Sequence, residues 1–88
     1  MTLEQMIVGA RVRLINTVGG HTPGDMFFIE PPHVGTVVAV EGMDDMEPPV
    51  VCGVRFDKPH PHLTEWDNVL HVFAYDGDVL PSDFELVR

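Results

Sequence analysis

The residues best suited to chemistry in this chain lie close together, in His60-Pro61-His62-Leu63-Thr64-Glu65. Two imidazoles separated by one residue project from the same side of an extended segment, which suits two ligands on one metal ion. Glu65 adds a carboxylate and His71 a further imidazole, so His60, His62, Glu65 and His71 are the candidate metal set. A second acidic run holds Glu41, Asp44, Asp45 and Glu47. Calcium loops of the EF-hand type need carboxylates at alternating positions around a central glycine and a distant bidentate Glu. Glu41-Gly42-Met43-Asp44-Asp45-Met46-Glu47 lacks that spacing and reads as a solvated loop. Its Met43 and Met46 would give an adaptable contact surface or tuck into the rim of the core. Cys52 alternates with Val50, Val54 and Phe56, which places it in the core, away from the cation and exposure that a reactive thiolate needs. Val18-Gly19-Gly20-His21 lacks the lysine and following helix of a phosphate loop. Trp66 falls outside any clear strand, as a lid over one end of the core or an exposed contact residue of the hot-spot kind.

The elements that must position these residues are short. The 88 residues read as one domain, 1–88, and eight Pro with eight Gly demand a loop-rich fold. Thr2-Leu3-Glu4-Gln5 has the pattern of a capping box. It predicts one helical turn to about Val8, with Leu3, Met6 and Ile7 over one end of the core and Gly9 as its stop. Residues 11–15 alternate polar and apolar, the period of a half-buried strand. A long irregular stretch, 16–33, follows. Within it Met26-Phe27-Phe28-Ile29 is either a short strand or a loop anchored in the core. Strands are predicted over 35–41, 50–57 and 69–75, the last covered on both faces. Pro59 and Pro61 exclude an interior strand over 58–62. Pro81-Ser82-Asp83 suits a 3-10 turn and 84–87 a closing strand. The expected class is mainly β, a small five-stranded antiparallel barrel with long loops.

Charge narrows the function. The net charge is −9, with five lysines and arginines against fourteen acids. Holding a phosphate backbone requires clustered cations, so direct nucleic-acid binding is not expected, nor is attraction to anionic lipid. No apolar run approaches the ~20 residues of a membrane helix, and no signal peptide opens the chain. One cysteine excludes an internal disulfide. A cytoplasmic location is the expectation.

The order of elements resembles the small SH3-like barrels. Gly9-Ala10-Arg11-Val12-Arg13-Leu14 is similar to their opening strand, and Val34-Gly35-Thr36-Val37-Val38-Ala39-Val40 to the strand after their first long loop. Val54-Arg55-Phe56-Asp57 and Leu80-Pro81-Ser82-Asp83-Phe84-Glu85-Leu86-Val87 are similar to their later strands, the second with a 3-10 turn. The layout is especially similar to short bacterial and phage-associated barrels. What the resemblance implies is architecture, with recognition by the loops. One Trp and one Tyr depart from the aromatic groove of proline-peptide binders. His-x-His followed by Glu also resembles the first cupin motif, although no histidine follows Gly77-Asp78 and Pro81 to complete it. The leading expectation is a non-enzymatic protein-interaction module without a cofactor, in a larger phage or mobile-element assembly or alone. Its partner would be basic, and its contact residues Asp44, Asp45, Glu47, His60, His62 and Trp66. The alternatives are an acidic mimic of nucleic acid that inhibits a nucleic-acid-binding protein, and a cupin-like metal protein using His60, His62, Glu65 and His71.

Overall fold

The structure, a computed structural model, describes residues 1–22, 24–43 and 45–87, with the side chains of 21, 22 and 25 outside the description. Among the described residues seven strands form two antiparallel sheets. They are β1 (Arg11–Leu14), β2 (Val18–Thr22), β3 (Asp25–Ile29), β4 (His33–Val38), β5 (Val50–Phe56), β6 (Val69–Phe73) and β7 (Phe84–Leu86). The large sheet runs β6-β5-β4-β1-β7, and β2 pairs with β3 in a separate hairpin. The described residues also hold three 3-10 segments: Leu3–Gln5, Pro61–Trp66 and Pro81–Asp83. Among the described residues no helix is long and apolar enough to cross a membrane.

Alternation explains the large sheet. Val12 and Leu14 of β1 are buried while Arg11 and Arg13 stand outward. On β5, Val50, Cys52, Val54 and Phe56 face the core, as their period-2 spacing predicts. Cys52, Val54 and Phe56 meet Val37, Leu70, Val72 and Phe84 in one contiguous apolar cluster, which Val18, Phe27 and Ile29 of the hairpin join. Gly35 has a specific steric role. A Cβ there would sit 2.6 Å from the Arg55 carbonyl oxygen and 2.8 Å from Val54 Cγ1, so only glycine lets β4 approach β5 so closely.

Two expectations need correction. The large sheet has five strands, but the described residues hold seven, because β2 and β3 pair within the stretch expected to be irregular. Its signal is hidden since Gly19 and Gly20 have no side chains to alternate, and Met26-Phe27-Phe28-Ile29 is apolar on both faces. Phe27 and Ile29 are buried while Met26 and Phe28 are exposed. The N-terminal turn is also shorter than predicted. Thr2 N–H donates to Gln5 Oε1 at 2.9 Å, but the turn stops at Gln5, and of its apolar trio only Met6 is buried.

Candidate interaction site

The segment from Lys58 to Asn68 is built around two prolines and one asparagine. Pro61 opens a 3-10 helix, where its missing N–H costs nothing, and His60 caps it with extended backbone. Leu63 plugs this helix into the core at 2% exposure. Asn68 ties the base. Its Nδ2 donates to the carbonyls of Phe56 (2.8 Å) and Lys58 (3.0 Å), while its Oδ1 accepts the His60 N–H at 2.9 Å. Asp67 and Asn68 both have left-handed backbone, which aspartate and asparagine tolerate better than most residues. Asp67 also pairs with Arg55 at 2.7 Å.

This scaffold brings three imidazoles together, one of them from a distant strand with no local signal in its neighbours. The His60 and His62 rings lie 5.3 Å apart, and His33 of β4 stands 5.9 Å from His60. Phe27 stacks on His62 at 5.0 Å with planes 10° apart, and Phe56 contacts His33 at 5.4 Å. The His62 N–H donates to His60 Nδ1 at 3.3 Å, so neutral His60 carries its proton on Nε2. Partial burial, then the neighbouring His62 and His33, holds the His60 pKa below its ordinary value. His71 does not join them; it packs edge-on against Trp66 at 5.6 Å, and burial lowers its pKa. Glu65 is exposed on the 3-10 helix. Among the described residues no group of three or more His, Cys, Asp or Glu is arranged to hold a metal ion.

A cleft of about 190 Å3 lies beside this cluster. Gly19 and Gly20 of β2 line it together with Val69, His71 and Phe73 of β6. Phe27 and Trp66 add two aromatic rings to the lining. Gly20 is dictated by the neighbouring ring, since a Cβ there would stand 2.5 Å from Phe27 Cζ. The cleft is therefore the seam between the two sheets. Trp66, 41% exposed, is both a wall of the cleft and an available contact surface. Cys52, by contrast, is a core thiol whose burial pushes its pKa up to about 11.

The expected contact residues fall into two groups. His60, His62 and Trp66 share the 3-10 helix and its cap at the start of β6. The acidic loop lies at the other end, where Pro49 O accepts the Ala74 N–H at 3.0 Å. Along a strand of this length the separation is about 13 Å. Asp44 lies outside the described residues. Asp45 is exposed, and Glu47 accepts the Tyr75 hydroxyl at 2.6 Å, which raises the tyrosine pKa. Met43 is half-buried and Met46 exposed. Three arginines are paired with acids on the outer face of the large sheet: Arg11 with Asp57 (2.5 Å), Arg13 with Glu85 (2.6 Å) and Arg55 with Asp67. Among the described residues that line the cleft there is no lysine or arginine. Residues of the site without a local sequence signal are Phe27, His33 and Asn68. Gly19-Gly20 with a Phe-Phe pair a few residues on is the one hint of the hairpin.

No family model, curated protein or solved structure matches the chain.

Proposed function

We propose that the chain is a small SH3-like barrel acting as a non-enzymatic protein-interaction module, and that its partner presents a basic surface. The β6-β5-β4-β1-β7 order and the 3-10 turn immediately before β7 support the architecture. One observation carries the function: an apolar cleft walled by a half-exposed tryptophan, free of lysine and arginine in its lining, on a chain of net charge −9. A concave apolar site with an aromatic anchor is what a binding hot spot requires. The arginines bound to their own carboxylates leave the acids of the loops to set the sign of the long-range field, which favours a basic partner.

The test is affinity isolation from the native host with wild-type protein, Trp66→Ala and Asp45→Lys/Glu47→Lys. The wild type should retain a basic protein that is released towards about 1 M salt, where screening acts within about 3 Å. Trp66→Ala should retain at least about tenfold less, the effect of a hot-spot truncation. Equal retention by all three proteins, or a partner indifferent to salt, overturns the reading.

A further inference from the structure

The cleft has a backbone wall as well as an apolar one. β6 is an edge of the large sheet, and among the described residues no strand lies along its outer side. Its alternation can be followed from two hydrogen bonds. The Phe56 N–H donates to Asn68 O at 3.2 Å, so the Asn68 carbonyl faces β5, and the backbone groups of Leu70 and Val72 follow it. The Phe73 N–H points the other way and donates to Val79 O at 2.9 Å. By the same alternation the N–H and C=O groups of Val69 and His71 face away from β5, and both residues line the cleft. Such an edge is a template for another strand.

We infer that the outer edge of β6 at Val69 and His71 takes an extended segment of the partner as an added strand, with one apolar side chain in the cleft and Lys or Arg at flanking positions. This rests on the interaction-module reading and specifies how the site is used. The Phe27 ring, which covers Gly20, also lines the cleft and gives the occupant's apolar side chain an aromatic surface to pack on. Charge selects the flanking residues. Among the described residues the titratable groups in the lining are His71 and Asp78, while Glu65 precedes Trp66 and exposed Asp76 follows β6. Acidic Asp45 and Glu47 lie beyond that end of β6. In an added strand, alternate side chains point into the cleft and out of it, so apolar and basic residues should alternate.

The experiment is selection of a random nine-residue peptide library on the full chain, followed by titration of the enriched peptides. Trp66 is the chain's single tryptophan and reports occupancy by its emission. Enriched peptides should alternate apolar residues with Lys or Arg and shift the Trp66 emission saturably. N-methylation of alternate peptide amides should weaken binding at least about tenfold, the loss of one or two hydrogen bonds, while methylation of the intervening amides should not. His71→Pro removes the outward donor of an edge strand, where proline is tolerated. It should weaken binding by a similar factor, and His71→Ala should not. If His71→Pro fails to fold, the N-methyl series decides alone. Peptides that bind and depend on Trp66 but ignore both N-methylation and His71→Pro overturn strand addition and leave the interaction module standing. Enrichment of proline-rich or acidic peptides does the same. If no peptide is enriched, strand addition falls, and the module falls with it only where affinity isolation also yields no partner.

Discussion

Phe27→Ala is the perturbation that tests whether the hairpin belongs to the core or merely leans on it. Phe27 is 6% exposed, stacks on His62, covers Gly20 and forms part of the cleft. Truncating a buried phenylalanine costs about 3–5 kcal/mol. One side of this ring already borders the cleft, so the lower figure, about 3 kcal/mol, applies. An unfolding entropy of about 2.1 cal/mol/K per residue gives about 0.18 kcal/mol/K for a chain of this length, and hence a fall in Tm of about 16 °C. The neighbouring Phe28 is 60% exposed and supplies the control, because Phe28→Ala should change stability by no more than about 0.5 kcal/mol. Calorimetric melts of the two variants measure the contrast. Amide exchange adds location: if the hairpin detaches first, amides of β2 and β3 lose protection while those of β5 keep theirs. A Tm within about 5 °C of wild type for Phe27→Ala, or equal effects of the two substitutions, refutes the claim that Phe27 locks the two sheets together.

Two further predictions concern titration. With its pKa at about 11, Cys52 has a thiolate fraction near one in a thousand at pH 8, against about a quarter for an ordinary thiol. Alkylation should therefore be hundreds of times slower in the folded protein than in denaturant, and equal rates in both would contradict core burial. The histidines His60 and His71 have lowered pKa values through burial, so the unfolded chain binds more protons than the folded one below about pH 6.5. Stability should fall as the pH drops through that value and level off below the folded pKa values. Asp57, held down by its hydrogen bond to Arg11, acts separately and is lost at more acidic pH. Melts between pH 7 and 5 on the wild type and on His60→Asn/His71→Asn check this, since the slope should flatten in the double variant; an unchanged slope rejects the assignment.

Local patterning made much of the fold legible and little of the site. β1 and β5 could be read because one face of each is buried and the other wet, which writes the strand period into the residue types. The 58–62 prolines excluded a strand, and a 3-10 helix follows there. His60 and His62 were expected on one side of an extended segment. They do lie together, but through a cap followed by a 3-10 turn, with His33 arriving from another strand and no local signal to announce it. The acidic run was visible as charge, whereas its position at the far end of β6 depends on the Pro49–Ala74 hydrogen bond.

The cleft escaped for a physical reason. Its lining takes in Gly19-Gly20 and the Trp66 to Phe73 region, far apart in sequence and joined by the packing of the hairpin on the large sheet. Glycine carries no hydrophobic period, so this part of the lining is one that periodicity cannot detect. Gly20 has a second duty in admitting the Phe27 ring. A side chain there would press on that ring, and the ring lines the cleft and stacks on His62. Hairpin docking, the position of His62 and the shape of the cleft are thus mechanically one feature. A binding measurement on any Phe27 variant must for that reason be read together with its stability, while His71, on the opposite edge, lets the backbone wall be altered with the hairpin left in place.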